Sequence, residues 1–332
     1  MKTLTISAAV LTIAIPTFAQ APARPGAPKA SARTYTPAKT PWGDPDLQGI
    51  YTNKDENGIP FERPSALAGK NIGDVNDDEL KDLIAERAKA AVDRAPGIGG
   101  ADTGAGPTHW YEHYGAKNSR AWLVVDPPDG AIPVPTAEAA ARTAARASVR
   151  GVRGPADSAE DRSLYDRCIT RGIPGSMMPA IYGNSYEIIQ SPGWVAIRYE
   201  MIHETRLIPL DSRPHVPSRI ESYMGDARGH FEGSTLVVET TNFKPVSAYR
   251  GASERLKLIE RFTPTAARTV QWSVTADDSH TWARPWTFAM NLTKDPSQPI
   301  FEYGCHEGNY GLRDILSGAR ADDAAAAKTV AK

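Results

Sequence analysis

Apolar and polar residues alternate through the second half of this chain, which marks strands with one buried face. Val195, Ile197, Tyr199 and Met201 share one parity, with Arg198 and Glu200 on the other. The pattern recurs at Leu236, Val238 and Thr240, at Val270, Trp272 and Val274, and at Trp286, Phe288, Met290 and Leu292. Phe231-Glu232-Gly233-Ser234-Thr235 separates two such runs as a hairpin turn. Parallel pairing needs long crossovers, for which residues 166–318 have no room. The pattern therefore predicts an antiparallel meander, curled into a barrel or stacked as a two-sheet sandwich.

Helical spacing governs the first half and the end. Leu80, Leu83, Ile84 and Val92 predict a helix from Asp77, with Asp77 or Asp78 as cap. Residues 136–149 predict a second helix, capped by Thr136 and with Glu138 near the positive end of its dipole. Residues 312–320 predict a short third one. Trp42 to Tyr51 is a turn leading into a short strand, and 120–125 is a further strand stopped by Asp126-Pro127-Pro128-Asp129-Gly130. The expected organisation is a signal segment over 1–19, a flexible Pro/Ala-rich leader over 20–40, and one β-rich domain over 41–320. Within that domain the N-terminal loops and helices wrap over the sheet, and 321–332 is a disordered tail.

The signal reading rests on Lys2, the apolar run Leu4 to Ile15 and the small residues around Ala19. That run falls short of the roughly 20 apolar residues a membrane span needs, so an exported, periplasmic or secreted protein is expected, without membrane insertion. With 38 basic and 39 acidic residues, the overall charge points to no nucleic-acid partner. In an oxidising compartment Cys168 and Cys305 are expected to form a disulfide, worth about 4–5 kcal/mol in the chain-entropy model. A thiolate nucleophile or metal ligand is the alternative.

Four segments carry candidate chemistry. Tyr303-Gly304-Cys305-His306-Glu307-Gly308-Asn309-Tyr310-Gly311 packs tyrosine, His and Glu among glycines that let a bent loop aim side chains. It reads either as a site or as a disulfide-pinned turn. His203 follows the parity of Tyr199 and Met201, so it should point inward, as a general base or as a core histidine. Asp226, Arg228, His230 and Glu232 form a charged row, lining either a ligand-holding interior or the solvated outside. Trp282 and Trp286 flank Arg284 and Pro285, a surface for stacking on rings or a piece of core.

His109-Trp110-Tyr111-Glu112-His113 spells the HxxEH signature of inverted zinc proteases, but Pro107 and Gly115 leave room for a single helical turn. Aromatic stacking by Trp110 at a pocket mouth is the preferred reading. The sequence has no GxSxG elbow, P-loop, GxGxxG fingerprint, CxxCH or paired CxxC, so no cofactor is expected.

Several segments, among them Thr40 to Gly49, Leu123 to Gly130, Asp166 to Gly172, Met177 to Ala180, Gly225 to Gly229, Arg284 to Thr287 and Cys305 to Asn309, resemble an uncharacterised family of exported bacterial proteins. The likeness covers nearly the whole mature chain and implies one integrated protein; it assigns no catalytic residue. The meander with its hairpin also resembles lipocalin-like barrels, so the expected fold is mainly β, a lipocalin-like antiparallel barrel or sandwich.

The leading functional expectation is a cofactor-independent lyase, dehydratase or isomerase acting on a small aromatic or glycosidic molecule. His203 or His306 would serve as base, with Glu307, Tyr303 or Arg228 polarising the substrate. Tyr199, His230, Arg284, Trp286 and Trp110 would bind it. The alternative is a small-ligand binding protein without turnover, its pocket aromatic with His and Arg fixing orientation. A metal-dependent hydrolase using His203, His230 or His306 comes third.

Overall fold

The computed structural model describes residues 35–93, 119–152, 154–180, 182–297 and 300–330. The signal segment, the HxxEH stretch with Trp110, and the leader up to residue 34 lie outside these. Among the described residues ten strands form one sheet, antiparallel at every pairing, that curls into a nearly closed barrel.

The strands fall into two meanders. The first comprises β3 (Ser185–Ser191), β4 (Trp194–Tyr199) and β5 (Thr205–Pro209); the second comprises β6 (Asp226–Glu232), β7 (Thr235–Thr241), β8 (Lys257–Ala266), β9 (Thr269–Asp277) and β10 (Trp286–Lys294). The expected hairpin joins β6 to β7, with Gly233 at φ +60° supplying the left-handed turn residue. Strand β1 (Gly49–Thr52) pairs with β3 on one side and β10 on the other, giving the order β5-β4-β3-β1-β10-β9-β8-β7-β6. Short β2 (Val124–Asp126) also pairs with β10. The N-terminal segment therefore does more than wrap the barrel, because β1 is the stave that joins its two meanders.

Among the described residues three α-helices lie outside the sheet: α1 (Asp77–Asp93), α2 (Ala137–Val152) and α3 (Gly311–Val330). Two expectations need correction here. The tail expected to be disordered is helical as far as Val330, because its alanine run favours helix without needing an apolar stripe. The last leader residues are tied down as well. Lys39 bridges to Pro45, and buried Thr40 takes the Asp44 amide on its hydroxyl at 3.1 Å.

Alternation sorts the barrel interior. Leu258, Glu260 and Phe262 on β8, Val270, Trp272 and Val274 on β9, and Trp286, Phe288, Met290 and Leu292 on β10 are all buried. The alternation predicted for β4 ends at Tyr199. Ile202 and His203 then take left-handed φ values of 60° and 47°, which breaks the parity and leaves His203 exposed instead of inward.

Arg206 of β5 crosses the interior to Glu260 of β8, their side chains only 3% and 0% exposed. Both guanidinium Nη groups donate to the carboxylate, and Trp272 Nε1 donates to Glu260 Oε1 at 3.1 Å. Burial pulls the Arg206 pKa down, but the Glu260 charge outweighs it and holds the guanidinium ionised. Tyr199 lies beside them, its phenol pushed up by burial.

The barrel closes where β5 meets β6. Among the described residues no ladder joins these two strands, so side-chain packing seals the seam. A β-carbon at Gly229 would lie 2.7 Å from Ile208 Cγ2 and 2.8 Å from Leu210 Cδ2. The strap between β5 and β6 is pinned over the neighbouring strands: Asp226 accepts from the Val216 amide at 3.0 Å and bonds His215 Nδ1 at 2.8 Å. Its carboxylate feels burial first, yet these bonds and Arg228 win and hold it below the usual range.

Two stability predictions test this architecture. Gly229→Val should pry the seam and cost about 1–3 kcal/mol by urea denaturation. Glu260→Leu should cost about 3–5 kcal/mol by leaving Arg206 buried and unpaired, and adding Arg206→Met should recover most of that loss. An unchanged midpoint for the single variant would mean that the pair is hydrated.

Candidate functional site

A cleft of about 1270 Å³ opens between α2, the irregular segment 154–178 and the loop 246–250. Each wall is held by a different device. Thr136 caps α2 as predicted, taking the Ala139 amide at 3.1 Å and donating to the His280 carbonyl at 2.8 Å. One turn on, Arg142 reaches the His280 carbonyl and Thr281 Oγ1, so the helix start is fastened to the turn before β10. Continuing the four-residue spacing brings Arg146 to the cleft.

The loop wall rests on the barrel's aromatic end. Tyr249 packs 6.2 Å from Trp286 and 6.3 Å from Phe288, ring centre to ring centre, and Phe61 lies 5.8 Å and 5.2 Å from the same two rings. The third wall, segment 154–178, is clamped from behind by the C-terminal arm. Cys168 and Cys305 form the expected disulfide, and Arg320 of α3 donates to the Ala156 and Asp157 carbonyls at 3.2 and 3.0 Å. Met201 and Ile202 pack around this disulfide with Tyr165, Tyr182 and Tyr303.

The lining combines apolar floor and charge. Ile173, Met178, Tyr165 and Tyr249 offer apolar and aromatic surface, while Arg146, Arg162, Arg167, Arg171 and Arg250 face three carboxylates, Glu160, Asp161 and Asp166. Arg162 and Asp166 pair with each other at 3.0 Å. Asp161 is engaged by the Ser158 hydroxyl and amide. Glu160 sits below the usual carboxylate range through backbone and Ser158 hydrogen bonds. Among the described residues, no carboxylate ion-pairs with Arg146, Arg167, Arg171 or Arg250.

Behind the lining, Glu204 accepts from the Arg171 amide at 3.4 Å and from the Ser176 hydroxyl at 3.2 Å. Burial pushes its carboxyl up, against the pull of Thr170 and these two bonds.

Of the residues singled out by sequence, those among the described residues are scattered, and none of them lines this cleft. His203 and Tyr303 do meet, but through His203 Nδ1 and the Tyr303 carbonyl at 2.9 Å. His306 and Glu307 are exposed. Arg228 lies on the outside of the barrel, donating to Asp226 Oδ1 at 2.7 Å and the Pro214 carbonyl at 3.1 Å. The charged row of β6 is thus the solvated outer face, because Ala227 and Gly229 take the interior parity.

His230 is exposed with Glu232 at 3.2 Å. Arg284 pairs with Asp126 at 2.8 Å on the surface. Tyr199 and Trp286 are core residues. Among the described residues, no three His, Cys, Asp or Glu side chains converge as a metal site, and no helix is long and apolar enough to cross a membrane.

Fold and cleft together describe a nearly closed β-barrel carrying an external, arginine-lined cleft. In comparisons with known proteins, the chain matches no family model, no curated protein and no solved structure.

Glu204 makes the cleft's support pH-dependent. Its folded pKa is raised, so above the unfolded value of about 4.3 the unfolded chain ionises first and stability falls as pH rises towards the folded value. Urea titrations across that window should show this slope in the parent protein and a flatter one in Glu204→Gln; identical slopes would place the titration elsewhere.

Proposed function

We propose that this protein binds a small, partly apolar molecule in the cleft between α2, segment 154–178 and loop 246–250, and that it works outside the cytoplasm. The observation that carries the reading is the cleft itself: a concave site with an apolar and aromatic floor and a few polar groups around it, the common make-up of ligand sites. Binding is favoured over turnover because proton-transfer chemistry asks for titratable groups within hydrogen-bond reach in one pocket. The cleft's carboxylates Asp161 and Asp166 are engaged by Ser158 and Arg162, and its other charged groups are mostly arginines. Export is supported by the buried Cys168–Cys305 disulfide, a bond that persists in oxidising compartments, and by the apolar run Leu4 to Ile15.

A fluorescence titration with anilinonaphthalene sulfonate tests the reading. One saturable site is expected, weakened in Ala145→Trp, where an indole placed on the exposed face of α2 intrudes on the cleft without touching the core. Binding that ignores Ala145→Trp would move the site elsewhere.

A further inference from the structure

Three arginines from three separate segments gather around one loop. Arg250 belongs to the loop itself and adopts a left-handed φ of 51°, unusual for a residue other than glycine. Its guanidinium lies over Phe61 at 4.1 Å and Tyr249 at 5.6 Å, and its Nε donates to the Tyr249 hydroxyl at 3.3 Å. Arg146 arrives from α2, its Nη1 3.3 Å from where a β-carbon at Gly251 would stand. Arg171 arrives from the third wall. A β-carbon at Gly172 would lie 3.5 Å from the Ser247 carbonyl, so this stretch runs beside the same loop.

The Arg171 guanidinium stacks over Tyr165 at 5.4 Å, and its Nη1 is buried without a hydrogen-bond partner. No carboxylate among the described residues ion-pairs with any of the three.

Gathering like charges and burying an unmatched donor both cost free energy, and an anionic acceptor relieves both. Stacking on aromatic rings restrains two of the three guanidiniums before any ligand arrives, and their planar forks match carboxylate, sulfonate and phosphate oxygens. Ile173 and Met178 supply apolar surface in the same cleft. Resting on the ligand-binding reading above, we propose that the ligand is an organic acid. Its apolar or aromatic body lies on the cleft floor, and its acidic group is held by Arg171 and Arg250, with Arg146 closing from the helix.

Two probes sharing one ring skeleton test the proposal: anilinonaphthalene sulfonate and the uncharged N-phenylnaphthylamine. The sulfonate should bind at least about tenfold more tightly, with an advantage that shrinks as salt is raised. Arg171→Gln and Arg250→Gln should each weaken it about tenfold while leaving the neutral probe unchanged. Arg146→Gln, on the exposed face of α2, should weaken it in the same direction; circular dichroism and melting curves verify that each variant is folded.

Equal affinity for the two probes, with no effect of the arginine variants, overturns the acid proposal, while weakened binding of both probes in Ala145→Trp would still support the cleft. Failure of both probes to bind, or indifference of both to Ala145→Trp, removes the cleft reading and the acid proposal with it.

Discussion

The pair between Arg206 and Glu260 can form only after the sheet has curled. Arg206 sits on β5, at one end of the strand order, and Glu260 on β8, far along towards the other. In a flat sheet these two charges would be separated by several strands, each about 4.8 Å wide. Buried apart, either would carry a desolvation penalty with nothing to offset it. The pair therefore discriminates against open or mis-registered sheets, and Trp272 extends its control to β9 through the bond to Glu260. Closure itself comes from shape, since β5 and β6 meet without a ladder and Gly229 lets Ile208 and Leu210 close the gap.

Everything at the cleft is built on the outside of this closed frame. The aromatic end of the barrel supports Tyr249, and Tyr249 presents Arg250; the turn before β10 anchors α2, and α2 presents Arg146. The wall formed by 154–178 contains only short 3-10 turns, so its position depends on ties to other parts of the chain. The disulfide to Cys305, the Arg320 contacts and the Glu204 carboxylate supply them. The disulfide thus bears directly on the proposed site: it joins the wall carrying Tyr165, Arg167 and Arg171 to an arm more than a hundred residues later in sequence, separation 137. The chain's near-neutral charge hides a local excess at the cleft, where five arginines face three carboxylates.

How much of this was legible in advance differs between frame and site. Alternation at β4, β7, β9 and β10 predicted both the strands and their buried faces, because inside or outside is decided residue by residue at a period of two. The Thr136 cap and the helix after it were equally visible. At His203 the same rule failed, since left-handed backbone at Ile202 and His203 resets the parity, and no local spelling announces that turn.

The cleft was nearly invisible. Arg142, Arg146 and Arg150 at four-residue spacing were the available signal, yet such a row reads equally well as a solvated helix face. His306, Glu307, Arg228 and Arg284 drew attention through glycine and aromatic neighbours. In the folded chain they lie on exposed loops or pair on the outer surface.

By itself, then, the sequence determined the antiparallel β frame, the hairpin between β6 and β7, the α2 cap and an expectation that Cys168 and Cys305 pair, all matters of short-range periodicity, local turn chemistry or the presence of just two thiols. Tertiary structure alone decided that β1 joins the two meanders, that Arg206 finds Glu260, and that Arg146, Arg171 and Arg250 gather around one loop. Those outcomes depend on the closure of a curved sheet and on distances between segments far apart in the chain. No local pattern of residues encodes either.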